Sequence, residues 1–404
     1  MKTRNIVISL ALVGSVFLAG TGVWGAEVRG VTDKTIKLAC LIDLSGPGKY
    51  GGPPIGDAFK DYVAWVNDTG GIHGRTIDLI VEDNGILPTP TMTAARKVIF
   101  KDEVLAIGFN LGSAGTSAIL PLCEENQVVL MPHGANKRFY SPGNKWVFVP
   151  HTVQFSMASR AVEYVLKKTP KARIGIIYQD DDFGLEGLDG ARAAAAFMTA
   201  QLVKEAPYKV GTIDFAPQMM AMKEAKVDYL LLWTYLPQSA AIIKERAKMG
   251  WDVPLLSNNT TGVPPLFGLV GDLAEGYMLV TPYAPLHIDV PGMKTVREVN
   301  KKYGNPEKTL ANPMYPDYLY LAAWGYISAM VEGLKKAGRD LNPDSLVKGL
   351  ESIKNYDMGG ICPNLTFGPK QHVSSFSSLI LRADAKNKRF VIIDSITEPK
   401  TPQD

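Results

Sequence analysis

The residues of this chain best placed to do chemistry are neutral hydrogen-bond donors. Ser45 and Tyr50 lie in the loop SGPGKYGGPP, which follows an apolar strand over residues 36–44 and precedes a helix. Gly and Pro bar regular structure there, so the loop leaves backbone N–H groups free. Those groups and the first turn of the following helix face one point, where a carboxylate can be held without a charged side chain. An ordinary strand-to-helix turn has the same composition. Ser113 and Thr116 repeat the arrangement after the third apolar strand, where hydroxyls and amide groups at a helix start suit a carboxylate. Helix capping accounts for Ser113 equally well. Trp233, Thr234 and Tyr235 end another apolar strand, the position of ligand contacts in a parallel sheet, and Asn258 and Asn259 end the next.

Catalytic patterns are missing. A GxGxxG match at residues 20–25 falls in the leader described below, and GxSxG, HExxH and GxxxxGK[ST] do not occur. His73, His133, His151, His287 and His372 are scattered, without the spacing that puts two ligands on one helical face. Asp180, Asp181 and Asp182 could suit a hard cation, but adjacent loop residues point in different directions, so no metal is expected. No nucleophile has an evident base. The chain reads as a binding protein without a cofactor, not an enzyme.

The elements that must position these residues begin after an export signal. Lys2 and Arg4 precede an apolar run over 6–18, and Val23 and Gly25 are suited to cleavage before Ala26. The run is too short to span a bilayer. Thr21 stands where a lipoprotein box requires Cys, so an exported protein without a lipid anchor is expected. Loss of Lys2 and Arg4 takes the formal charge from +3 to about +1, and no basic cluster interleaves with aromatics, so nucleic acid and anionic membrane are not expected partners. Cys40, Cys123 and Cys362 lack metal or CxxC spacing; one disulfide among them is permitted, and Cys40 reads as core. Strands at 36–44, 76–81, 104–109, 128–131 and 146–149 alternate with helices, and the alternation restarts after Pro150 with strands at 173–178, 227–233 and 254–256. A helix is expected over 184–203. This order predicts two α/β lobes with mostly parallel sheets, followed by long helices and a terminal hairpin.

Three segments together resemble the periplasmic solute-binding proteins of the branched-chain amino acid type, which serve ABC importers: LIDLSGPGKYGG with NDTGGIHGRTIDLIVEDN, then AIGFNLGSAGTSAILPL, then RIGIIYQDDDFGLEGLDG. The resemblance implies a type I periplasmic binding fold. Two doubly wound α/β lobes are joined by three crossovers, near 150–152, 281–285 and 360–367, with ligand between them. The implied lobes are 26–150 with 284–362, and 151–283 with 363–404. Closure of the loaded, monomeric protein would present it to an ABC permease; a soluble receptor for a membrane sensor kinase or chemoreceptor has the same architecture.

Carried onto this sequence, the resemblance places ligand contacts at Ser45, Tyr50, Ser113, Thr116, His133, Phe183, Tyr235, Asn258 and Tyr283. Two departures bear on the ligand. Amino-acid binders have a Thr where this chain has Ala135, and an acid near Asn258 and Asn259 to pair with the ammonium. A desolvated ammonium without a counter-charge is costly, and a zwitterion would need Asp180 or Asp181. The expected ligand is a small aromatic or aliphatic carboxylate, with a branched-chain or other amino acid as the alternative.

Overall fold

The computed structural model describes residues 28–134, 136–140 and 144–403; the expected leader and Ala135 lie outside the described residues. In chain order the first half runs β1 (Thr35–Ile42), α1 (Gly52–Asp68), β2 (Thr76–Asp83), α2 (Pro88–Phe100), β3 (Ala106–Leu111), α3 (Ser113–Glu125), β4 (Val129–His133) and α4 (Lys137–Tyr140). It continues with α5 (Gln154–Lys168), β5 (Arg173–Gln179), α6 (Asp182–Phe197), β6 (Gln201–Tyr208), α7 (Ala216–Glu224), β7 (Tyr229–Trp233), α8 (Leu236–Lys248), β8 (Leu255–Ser257), α9 (Pro265–Val270) and β9 (Met278–Thr281). Helices α10 (Pro291–Tyr303), α11 (Asp317–Ala337) and α12 (Pro343–Glu351) precede the hairpin β10 (Ser378–Asp384) and β11 (Arg389–Thr397).

β1 explains why the first lobe is layered. Ile36, Leu38, Cys40 and Ile42 enter one core, while Ala39 and Leu41 enter another. A strand covered by helices on both faces needs apolar residues at every position, which is the continuous run in the sequence. The sheet is parallel with order β2-β1-β3-β4. The second sheet has order β11-β10-β9-β8-β7-β5-β6, parallel from β9 to β6 and antiparallel at β10 and β11. α11 is apolar nearly all round and buried along most of its length, against α1 and β3.

The chain passes between sheets three times. Val149 N donates to His372 O at 2.8 Å and Ser374 N to Val149 O at 2.9 Å, so the first and third passages run side by side. The second follows β9, where Ala284 N donates to Ile361 O. Residues 360–367 are not themselves the third passage. Phe367 N donates to Ile353 O and Leu365 bridges Tyr356, which hold that segment against the end of α12; the passage lies at 373–377.

Two local expectations also give way. The helix expected through residue 203 ends at Phe197, because Thr199 takes a positive φ of 53° and the chain then enters β6. β6 is an edge strand, half exposed and containing Pro207, so it lacks the apolar run that marks its neighbours. The expected strand over 146–149 makes only isolated bridges, Leu130 with Val147 and Val149 with Val373, because it is already leaving the sheet. The three cysteines are buried and unbridged.

Candidate functional site

Each sheet has one place where the connections reverse direction, between β1 and β3 in the first and between β5 and β7 in the second. Loops leaving neighbouring strands there diverge to opposite faces and open a crevice at the strand ends. The two crevices face each other. Between them lie a small inner cavity of about 30 Å³ and an outer chamber of about 230 Å³, which share Gly48, Ile86, Gly112 and Tyr235 in their walls.

Five of the nine expected residues line this cleft: Tyr50, His133, Phe183 and Tyr235 in the inner cavity, Ser113 and Tyr235 in the outer chamber. Phe183 and Tyr235 stack with centroids 4.7 Å apart and planes 17° from parallel, forming an aromatic wall on the second lobe. Ser113 opens α3 after Gly112, whose φ of +101° reverses the chain. Opposite it Gly134 has φ +88°, and a Cβ there would stand 2.7 Å from Ser113 Oγ. That close approach leaves a cradle of backbone and hydroxyl donors.

His133 ends β4 and stacks between Phe109 (5.3 Å) and His151 (5.0 Å). Its Nε2 is buried with no hydrogen-bond partner, as are both ring nitrogens of His151. Burial pushes the His133 imidazole down to about 4, and burial together with the neighbouring His133 ring holds His151 well below the ordinary histidine range. Both rings are therefore neutral at pH 7, and His133 adds polarity without charge.

The other four positions are elsewhere. Ser45 is exposed, and its hydroxyl serves Asp83. Thr116 is fully buried; it donates to Gly112 O at 2.9 Å and accepts from Asn110 Nδ2 at 2.9 Å, so its hydroxyl fixes the turn into α3. Asn258 donates to Leu232 O and Thr234 O and caps the short turn at Thr260. Tyr283 is buried in the second crossover and lines a different cavity. In each case the structure gives the side chain a hydrogen-bonding or packing role away from the cleft lining, which only the fold reveals.

Further polar residues complete the cleft, of which only Asp181 was considered from the sequence. Gln154, at the first position of α5, and Thr260 line the inner cavity; Gln179, Asp181 and Gln238 line the outer chamber. Asp181 is the one acidic residue among the described residues in either lining, and both its oxygens are engaged: Oδ1 accepts from Phe183 N (3.1 Å) and Gly184 N (3.2 Å), Oδ2 from Gln179 Nε2 (2.6 Å). Asp180 instead pairs with Lys209, and Asp182 accepts from Ser117 of α3. The triplet thus points in three directions. Gln154 follows the first crossover, and only that position in the chain hinted at its role.

The lobes meet through polar contacts around this cleft. Trp233 Nε1 donates to Gln154 Oε1 (3.0 Å), Gln154 Nε2 to Asn259 Oδ1 (3.3 Å), and Asn259 Nδ2 to the Tyr318 hydroxyl of α11 on the other lobe. Glu186 of α6 accepts from Lys137 N (2.9 Å) and the Tyr140 hydroxyl (3.1 Å). Burial pushes the Glu186 carboxyl up to about 7.

Two doubly wound lobes, three crossovers and a nearly closed cleft with neutral donors and an aromatic wall define a two-lobed solute-binding protein. The chain belongs to the periplasmic binding protein family, whose sequence profile matches residues 35–388. It is similar to the leucine-specific-binding protein of Salmonella typhimurium, 23% identical over 367 residues that cover 88% of this chain and 96% of that protein. Among solved structures it resembles the fatty acid ABC transporter substrate-binding protein from Thermomonospora curvata, at 28% identity and TM-score 0.82, covering 93% of this chain and 95% of that one. A branched-chain amino acid ABC transporter protein from Thermus thermophilus, with bound valine, has the same fold at 22% identity and TM-score 0.82, with 92% and 98% covered.

Proposed function

We propose that this chain is the periplasmic ligand carrier of an ABC importer, and that its ligand is a small organic carboxylate without an ammonium group. Relatives named for leucine, valine and fatty acid share the fold, so the ligand class has to come from the cleft. The observation that supports a bare carboxylate is the cleft's charge balance. Ser113 and the Gly134 backbone offer neutral donors, the aromatic wall offers a flat apolar face, and the sole lining acid among the described residues, Asp181, is occupied capping α6. An ammonium group entering this cleft would lose its water with no free counter-charge, at a cost of several kcal/mol. Closing the lobes on the carboxylate and handing the closed form to the permease is then the whole cycle, with no chemical step.

Matched ligands test the reading. Thermal melting of ligand-stripped protein is followed with leucine against 4-methylpentanoate, and phenylalanine against 3-phenylpropanoate. Each pair has one skeleton with and without the ammonium. A bound acid at about 100 times its dissociation constant adds about 2.7 kcal/mol of stability. Stabilisation by the amino acids and not by their deaminated partners overturns the proposal.

A further inference from the structure

A second cavity, about 350 Å³, is larger than either chamber of the cleft. It lies on the far side of the bridge between Asn259 and Tyr318: Tyr318 lines it, while its neighbour Leu319 lines the inner cleft cavity. The walls come from both lobes. Leu279, Leu381 and Phe390 belong to the second sheet, and Tyr318 and Leu321 to α11 of the first lobe. These side chains are buried and make the interior apolar.

The mouth is cationic. Arg297, Lys388 and Arg389 stand exposed around it. Arg297 and Arg389 each form a long ion pair, with Asp289 at 3.8 Å and Asp384 at 3.6 Å, and Lys388 has no ion pair among the described residues. Asp317 is the single acid among the described residues of the lining. Its carboxyl accepts from Tyr318 N at 2.9 Å, and burial pushes it up to about 7, so near neutrality it cancels only part of one positive charge. His287, also at the mouth, is lowered by burial and by Arg389 and adds no charge at pH 7.

We propose that this cavity is a second ligand chamber, taking an amphipathic organic anion with its head at Arg297, Lys388 and Arg389 and its apolar body against Leu381 and Phe390. The apolar interior supplies the burial, and the three exposed cations at the mouth, Lys388 without an ion pair among the described residues, supply the selectivity for an anion. Because both lobes and the second crossover between them build the walls, the shape of the chamber depends on how the lobes are arranged. An occupant that fits the arrangement seen here therefore biases the lobes toward it, and by linkage a cleft ligand that selects the same arrangement favours the occupant.

Titration of the full chain with 8-anilinonaphthalene-1-sulfonate, an amphipathic anion whose emission rises on burial, tests this. Wild type is expected to bind saturably. The charge-reversed double variant Lys388→Glu, Arg389→Glu should lose about tenfold or more in affinity, since two attractive charges become repulsive ones. Leu310→Trp, a half-buried wall position, should fill the chamber and lower affinity similarly. Phe183→Ala, in the cleft, should leave binding within about twofold of wild type. Thermal melts of each variant establish that it is folded. Wild-type affinity in both chamber variants, or loss in Phe183→Ala with retention in the charge-reversed protein, overturns the proposal.

Discussion

Gly134→Ala isolates the carboxylate cradle from the general cost of disturbing a glycine. Gly134 has φ +88°, and an added Cβ would sit 2.7 Å from Ser113 Oγ and 3.5 Å from Ser113 N. Ordinary contact begins near 3.4 Å, so the hydroxyl must retreat by about 0.7 Å, enough to stretch a good hydrogen bond beyond its useful range. Gly74 is the matched control: its φ is +81°, and nothing lies within 4 Å of its added Cβ. Both substitutions incur the left-handed penalty of about 1–2 kcal/mol, so both should lower the melting temperature of the ligand-free protein by a few degrees at most. Only Gly134→Ala should weaken ligand. A lost hydrogen bond to a charged acceptor is worth about 1.5–3 kcal/mol, or roughly 10- to 150-fold in affinity. Isothermal titration with whichever deaminated acid stabilises wild type gives the number. Equal affinities in the two variants would refute the cradle, whatever their stabilities.

Further outcomes follow from the same geometry. Glu186 holds its proton up to about 7 in the folded protein against 4.5 unperturbed, so the unfolded state binds fewer protons between those values and stability falls as pH rises through the window. By linkage the wild type should lose up to about 3 kcal/mol relative to Glu186→Gln between pH 5 and 8, seen as a fall in its melting temperature relative to the variant's; a constant difference would contradict it. Asp181→Ala removes the cap of α6 and should cost about 1–2 kcal/mol in urea unfolding, with no gain in stability if Asp181 is indeed satisfied there. Tyr318→Phe removes the acceptor of the Asn259 bond between lobes, so small-angle scattering should report a larger open fraction without ligand, and ligand affinity should fall severalfold.

How much of this was legible in the chain depends on whether a residue acts through its neighbours in sequence or across the fold. Phe183, Tyr235 and Ser113 were readable because each follows a strand of a parallel sheet, and strand ends at a reversal of connection are where clefts form. Thr116 and Asn258 sit at equally plausible positions, yet their side chains are spent on Asn110, Gly112, Leu232 and Thr234. Nothing local distinguishes a hydroxyl that caps a turn from one that meets a ligand. β6 escaped notice because an edge strand needs no apolar run, and the third crossover was misplaced because 360–367 carries the Gly and Pro of a hinge while remaining bound to the first lobe.

The sequence by itself determined the alternation of buried strands and helices, two lobes, and the lack of any catalytic or metal-binding spacing, because burial periodicity and short motifs are local properties. The tertiary structure alone decided which polar groups are free. Gln154 reached the cleft and Tyr283 left it through contacts between residues far apart in the chain. The pairing of Asp181 with its own helix, and the cationic mouth assembled from α10 and the β10–β11 turn, are likewise outcomes of packing. Hydrogen-bond satisfaction is settled only when every buried group has found its partner, and no sequence window contains all the candidates.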